Sequence, residues 1–132
     1  MKEDWFCMST ITLSDAPVPC PPPLDSGEWG ADVCFLGRVR DTEDGRAISG
    51  IEYTAYPEMA RRVMEEIVAA MQTEHGPHPV RIHHRMGFVP AGEPSILIAT
   101  GARHSAEAMT LCAEYLRRIK ALVPIWKRPV FK

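Results

Sequence analysis

The chain has 132 residues, of which 45% are hydrophobic and 24% are charged, and its formal net charge is −2 at pH 7. This length and composition predict one domain with one core over residues 1–132. The slightly negative charge argues against nucleic acid as a partner, so a basic site on this chain has to be local. A local cationic pocket on such a protein suits a small anion.

The cysteines and the N-terminus indicate the compartment. Cys7, Cys20, Cys34 and Cys112 form no CxxC pair and have no zinc-like spacing, which favours reduced thiols in the cytoplasm. Cys34 in an apolar strand and Cys112 on an apolar helix face are interpreted as core residues rather than nucleophiles. No apolar run is long enough to span a membrane, and the N-terminus lacks the apolar core of a signal peptide.

The first forty residues predict two strands joined by a proline-rich loop. Met8, an alternative start to Met1, begins an alternating run that is typical of a strand. The prolines within residues 16–23 then break regular structure. The apolar strand that follows ends in Arg38 and Arg40, which share one face if the strand is regular. Their guanidinium groups are either a fork for phosphate or carboxylate, or solvated edge residues.

A long strand and a helix come next. Residues 48–56 predict the strand, after a hairpin-like turn over residues 41–46. Pro57 suits the first position of a helix, and from Met59 to Met71 apolar residues recur every three or four positions. We interpret this methionine-rich stripe as the buried face of a helix rather than as a cofactor site.

The following segment predicts two strands and a strand-to-helix junction. Within residues 80–87, His83 and His84 face opposite sides, so they do not share a metal ion. One of them is a candidate for the polar wall of a pocket. After another apolar strand, His104 lies near the free N–H groups of a helix N-terminus, for which Ser105 is the expected N-cap.

The most informative stretch surrounds Pro124. An amphipathic helix precedes it and ends by about Val123, because proline excludes its predecessor from helical geometry. Lys120 then lies on the last helical turn and Lys127 just beyond the bend. With the arginines of this stretch they form either an anion pocket, in which a lysine amine is a nucleophile or proton donor, or the ordinary cation-rich end of a helix. Trp126 either anchors Lys127 or packs a strand end into the core.

The order of elements predicts the fold class. Strand, strand, strand, helix, strand, strand, helix and short strand indicate an α+β fold with an antiparallel or mixed sheet backed by two helices. The sequence has no internal repeat and lacks the P-loop, dinucleotide-binding and serine-hydrolase motifs. Those three classes of function are therefore not expected.

Six segments, in order, resemble the large, catalytic subunit of molybdopterin synthase. They lie between about residues 30 and 129 and read FLGRVR (35–40), EYTAYPEM (52–59), IHHRMG (82–87), GE (92–93), HSAEA (104–108) and VPIWKR (123–128). The resemblance implies an α/β hammerhead-type fold for the family core over residues 30–129. Residues 1–29 are then an N-terminal strand and a proline-rich loop. The resemblance also implies a homodimer with a small ubiquitin-like subunit at each end.

The same resemblance implies a sulfurtransferase activity. In that family the small subunit inserts a C-terminal Gly-Gly tail bearing a thiocarboxylate. Its sulfur is passed to cyclic pyranopterin monophosphate, and two such transfers build the dithiolene of molybdopterin. No metal or other cofactor is implied for the enzyme itself. The alternative is a non-catalytic paralogue that binds an anion or serves as a scaffold for the ubiquitin-like tail.

The site residues follow from positions in the family's motifs. Lys120 and Lys127 match its two catalytic lysines. The resemblance implies that Lys120 is the principal proton-transfer or transiently nucleophilic amine and that Lys127 is its electrostatic partner near the tail. Arg40 matches a pocket arginine, and His104 matches a pocket histidine.

Two departures from the family pattern affect the expected phosphate pocket. The family usually has arginine directly after the histidine, where this chain has Ser105. Arg103 on the other side replaces that arginine only if the turn directs its side chain inward. The sequence also ends at Lys132, before the family's usual basic tail. The pocket is then either less complete or completed by Arg128 and Lys132.

Overall fold

The computed structural model describes residues 9–20 and 27–132. The alternative start at Met8, the thiol of Cys7 and part of the proline-rich loop lie outside the described residues. The strands within them are β1 (Ser9–Ser14), β2 (Ala31–Arg38), β3 (Thr42–Glu43), β4 (Arg46–Ala55), β5 (Val80–Arg85), β6 (Gly87–Pro90), β7 (Pro94–Ala102) and β8 (Ile125–Phe131). The helices are α1 (Pro57–His75) and α2 (Ser105–Leu122). Neither described helix is long and apolar enough to cross a membrane.

Four strands form a mixed sheet that carries both helices on one face. Its order is β1, β5, β7, β2, with β1 parallel to β5 and the other neighbours antiparallel. Side chains alternate along β2, so Val33 and Phe35 pack against the helical layer. The apolar stripes of α1 and α2 close over this face, and Met64, Met71 and Tyr115 are fully buried there. This layer is the main core of the chain.

β4 is the centre of a second, antiparallel sheet. β3 pairs with its start, and β6 and β8 pair with its length. Gly50 lies where β4 and β6 approach closely, since a Cβ there would collide with the carbonyl oxygen of Val89. The smaller core of this sheet consists of Val39, Ile48, Ile51, Tyr53 and Val89. The pairing of β8 returns the chain along β4 after the bend at Pro124.

The predicted α+β architecture, a mixed sheet backed by two helices, is confirmed. The predicted hairpin before β4 is also present, with Asp44 and Gly45 at positive φ. The single strand predicted over residues 80–87 is wrong, because the chain forms β5 and then β6. Gly87 has a φ of 81°, which turns the backbone between these strands. β6 therefore pairs in the second sheet and β5 in the first.

The core interpretation of the cysteines holds for Cys112 and fails for Cys34. Cys112 on α2 is 5% exposed, and burial raises the pKa of its thiol. Cys34 is exposed. It lies on β2, an edge strand, and its side chain is on the face of that strand that points away from the helices. The apolar character of β2 therefore did not place all of its residues in the core.

Candidate functional site

A cleft of about 460 Å³ lies between the first sheet, the end of α2 and β8. Its lining residues are Phe35, Gly37, Arg38, Tyr53, His84, Ser95, Ile96, Leu116, Ile119, Lys120, Val123, Ile125 and Lys127. Three of these side chains are cations, and no lining residue in the described part of the chain is an aspartate or glutamate. Such a surface favours a ligand with negative charge and an apolar body.

The bend at Pro124 brings the two predicted lysines into this cleft. Lys120 lies in the last turn of α2, which ends where the N–H of Val123 donates to the carbonyl oxygen of Ile119 at 3.0 Å. Lys127 lies on β8 directly opposite Tyr53 of β4. Directly paired residues of antiparallel strands share a face. Lys127 and Tyr53 therefore both line the cleft that Lys120 also lines.

Arg38 lines the cleft, whereas Arg40 does not. The register of β2 on β7 shifts between Gly37 and Arg38, which interrupts the regular alternation of side chains. The side chain of Arg40 is 81% exposed and lies 3.7 Å from Glu43. Of the two interpretations of this arginine pair, the fork is therefore not formed, and Arg40 is a solvated residue. A substrate-binding role for Arg40 stays a prediction and requires its side chain to leave Glu43.

His104 and Arg103 lie at the opposite end of α2 from Lys120. His104 is the exposed N-cap of the helix, a position that had been predicted for Ser105. At 1.5 Å per residue, the helix separates His104 from Lys120 by about 24 Å. Arg103 pairs with Glu28 at 3.0 Å and is 65% exposed. Within one chain, therefore, neither side chain lies with the two lysines.

The other cations near the bend also point elsewhere. Arg117 and Arg118 both donate to Glu114, and Arg118 also donates to Glu74 of α1. These hydrogen bonds, from Arg117 first, lower the pKa of Glu114 to about 2. Arg128 follows Lys127 on β8 and pairs with Glu52, so it lies on the opposite face of the strand.

Trp126 is not packed into the core. Its side chain is 55% exposed, and its ring meets the ring of Tyr56 edge-on, with centroids 6.0 Å apart. It lies opposite Thr54 on the face of β8 away from Lys127. Of the two interpretations of Trp126, packing of a strand end into the core is therefore wrong, and anchoring of Lys127 stays a prediction.

His84 completes the cleft and is the one of the two adjacent histidines that forms its wall. It is 7% exposed, and its Nδ1 donates to the carbonyl oxygen of Arg85 at 2.9 Å. The ring of Tyr53 packs edge-on against it at 5.1 Å. Burial lowers the pKa of His84, the hydrogen bond to the Arg85 carbonyl opposes this shift, and the neighbouring His83 adds to it. In the neutral ring the proton is on Nδ1, since a carbonyl oxygen only accepts.

Most of the chain matches a known protein family. The family model described as MoaE protein matches residues 20–122. A curated relative from Oryza sativa subsp. indica, named molybdopterin synthase catalytic subunit, is 40% identical over 102 residues. The alignment covers 77% of this chain and 53% of the relative. The chain thus spans about half the length of the curated relatives it matches.

Solved structures have the same fold. The crystal structure of molybdopterin synthase from Staphylococcus aureus superposes with a TM-score of 0.78 at 30% identity, covering 82% of this chain and 79% of that chain. A Helicobacter pylori structure, described as a complex of subunits 1 and 2 of molybdopterin-converting factor, has a TM-score of 0.68 at 20% identity. It covers 94% of this chain and 89% of that chain. At 20% identity, the similarity to the Helicobacter pylori structure supports a shared fold and nothing more.

Proposed function

This chain belongs to the MoaE protein family, and we propose that it is the catalytic subunit of a molybdopterin synthase. Its reaction is the transfer of sulfur from the C-terminal thiocarboxylate of a small ubiquitin-like subunit to cyclic pyranopterin monophosphate. The observation that carries this proposal is the convergence of Lys120 and Lys127 in one cleft without a lining carboxylate among the described residues. A non-catalytic scaffold needs the charge of this cleft but not a particular amine.

The cleft offers what two anionic reactants require. The phosphate of the precursor and the thiocarboxylate of the tail are both attracted by Arg38, Lys120 and Lys127. The apolar wall formed by Phe35 and Ile96 suits the ring system of a pterin. Lys120 acts as the proton-transfer or transiently nucleophilic amine, and Lys127 stabilises negative charge that develops during transfer.

A second copy of the chain supplies His104 in this proposal. The length of α2 keeps the His104 of one chain about 24 Å from its own Lys120, so the predicted pocket histidine reaches the lysine cleft only from a neighbouring protomer. A homodimer with two shared sites satisfies this requirement. Arg103 is at the same helix end and is carried to the same place. Its ion pair with Glu28 has to open before it binds phosphate.

The test is formation of the dithiolene product from precursor and thiocarboxylated small subunit. Lys120→Ala is expected to reduce the rate by about a hundredfold or more, since it removes a group that acts in the transition state. Arg62→Ala, which removes an exposed cation of α1 outside the cleft, is the matched control and should retain the wild-type rate. Near-normal turnover by Lys120→Ala contradicts the assigned role. If the wild-type chain binds the tail of the small subunit but forms no product, the alternative of a non-catalytic scaffold is supported instead.

Mixing two inactive variants tests the shared site. If Lys120 of one protomer works with His104 of the other, co-refolded Lys120→Ala and His104→Ala chains form mixed dimers with one intact site each. Random pairing then restores about a quarter of the wild-type activity. No recovery, with mixed dimers verified by native mass spectrometry, contradicts a site that is shared between two protomers.

A further inference from the structure

The outer edge of β8 lies beside the lysine cleft and has no partner strand among the described residues. β8 pairs with β4 along its other edge, and its residues Ile125 and Lys127 line the cleft. Trp126, Lys127 and Arg128 are all exposed. The unpaired backbone groups of such an edge are a template for a further extended chain.

The direction of each backbone group of β8 follows from its pairing with β4. Antiparallel partners alternate between residues that exchange both backbone hydrogen bonds and residues that exchange none. Pro129 has no N–H, so its pair with Ile51 is of the second kind. The N–H of Lys132 donates to the carbonyl oxygen of Ala47 at 3.1 Å, in the same alternation. The even-numbered residues of β8 therefore face β4, and the N–H and C=O groups of Lys127 both face the outer edge.

The scarcity of donors on this edge limits what can pair with it. The N–H of Ile125 already donates to the carbonyl oxygen of Val123 at 2.9 Å, and Pro129 has no N–H to offer. Within residues 125–129, Lys127 therefore has the one outward N–H that is left to donate. A guest residue opposite Lys127 can exchange both backbone hydrogen bonds with it. The edge thus fits the last few residues of an extended peptide rather than a long strand.

We propose that β8 binds the C-terminal tail of the small subunit as an added antiparallel strand, an inference that rests on the proposed function. A tail that runs antiparallel to β8 ends toward the bend at Pro124. Two residues beyond the one opposite Lys127, the tail is opposite Ile125, at the start of β8. The cations that line the cleft favour a carboxylate-like group at this end. Backbone hydrogen bonds to the strand edge supply affinity without requiring side chains on the tail.

Amide hydrogen exchange measures this pairing without turnover. The full-length chain is mixed with the small ubiquitin-like subunit of the same organism, which carries its Gly-Gly carboxylate, and exchange is resolved by residue with NMR. At a free subunit concentration a hundred times Kd, exchange of the Lys127 N–H should slow by about a hundredfold. The N–H groups of Trp126 and Arg128 face β4 and should be protected already in the free chain. A small subunit without its tail is the control and should leave the Lys127 N–H unprotected.

Two substitutions at one position isolate the backbone donor from the side chain. Lys127→Ala removes the amine and keeps the N–H, whereas Lys127→Pro removes both. Proline is compatible with β8 at this position, because the N–H of residue 127 does not pair with β4. With native folding of both verified by circular dichroism, Lys127→Pro should bind the small subunit about tenfold more weakly than Lys127→Ala, since a guest carbonyl loses its donor. Equal affinities of the two variants overturn the strand pairing.

Product formation separates this inference from the proposed function. If product forms while the bound tail leaves exchange of the Lys127 N–H unchanged, the strand pairing is wrong and the sulfur transfer stands. If the tail protects the Lys127 N–H but the thiocarboxylated subunit yields no product, the sulfur transfer fails and the strand pairing stands. A small subunit that does not bind the wild-type chain at all contradicts the pairing.

Discussion

A buried hydrogen-bonded pair ties the end of α1 to the middle of α2. The hydroxyl of Tyr115 donates to Nε2 of His78 at 2.7 Å, and Nδ1 of His78 donates to the carbonyl oxygen of Gly76 at 2.8 Å. Gln72 adds two hydrogen bonds to the backbone of His78. Tyr115 and His78 are 0% and 2% exposed, so water does not readily replace the lost partner if one of them is removed.

Tyr115→Phe is therefore expected to lower the free energy of unfolding by about 1–3 kcal/mol, because it leaves a buried imidazole nitrogen without its donor. Urea unfolding at pH 7.5 measures the change. Tyr56→Phe is the control, since Tyr56 is 70% exposed and its hydroxyl is accessible to water. It should be neutral within error. Equal stability of wild type and Tyr115→Phe would mean that the hydrogen bond contributes nothing net.

At the residue scale, the sequence located the lysines and offered one of the two adjacent histidines as a pocket wall, but it did not locate the rest of the cleft. Pro124 restricts its predecessor whatever the surroundings, so the positions of Lys120 and Lys127 around the bend were predictable. Regular alternation along β2 placed Arg38 and Arg40 on one face. The register shift that breaks this alternation depends on the pairing of β2 with β7, which the residues of β2 alone do not reveal. Tyr53 enters the cleft through its pairing with β8, which the residues around Tyr53 do not encode.

At the scale of elements, Arg118 joins α2 to α1 close to the cleft. Its guanidinium donates two hydrogen bonds to Glu74 at the end of α1 and one to Glu114 within α2. Glu74 and Glu114 are the main causes, in that order, of the raised pKa of Arg118. Lys120 lies two residues further along the same helical turn. The cluster therefore fixes the helix end that presents the amine.

Arg118→Met is expected to lower the urea midpoint of unfolding at low salt. At 1 M salt, the difference in midpoint between this variant and wild type should be smaller. The reason is that the Debye length falls from about 10 Å at 0.1 M to about 3 Å at 1 M. Urea midpoints at the two ionic strengths measure this effect. Arg117→Met, which loses contacts only within α2, should show a smaller change. A loss for Arg118→Met that is independent of salt would assign its contribution to packing of the aliphatic stem.

Both helices were predictable to within a residue or two, whereas the strands were less so. Proline at the start of α1 and proline after α2 act locally, and the apolar spacing needs no knowledge of the partner. The division between β5 and β6 depends on which sheet each strand joins, and Gly87 alone did not reveal it. The exposure of Cys34 likewise follows from the position of β2 at a sheet edge. Tertiary pairing decided these points.

At the scale of the whole molecule, two sets of groups couple folding to pH in separate windows. Burial lowers the pKa values of His78, His83 and His84 below the ordinary value of 6.5. In the second set, hydrogen bonds from arginines lower the pKa values of Glu74 and Glu114 below 4.5. In both sets the unfolded chain binds protons more readily than the folded chain. Stability therefore falls as pH falls, first below 6.5 and again below 4.5.

The free energy of unfolding is expected to be nearly constant between pH 7 and 8 and to decrease between pH 6.5 and 5, before the carboxylates titrate. For each histidine, a tenfold difference in proton affinity between the two states corresponds to about 1.4 kcal/mol. Urea unfolding at half-unit pH intervals measures the slope. His84→Asn removes one of the buried titrating rings, so its curve should be flatter than that of wild type in this window while both curves share the later decrease below 4.5. Stability that does not change down to pH 5 would show that the imidazoles are equally basic in the folded and unfolded chain, and would contradict the dry environment that the cleft gives to His84.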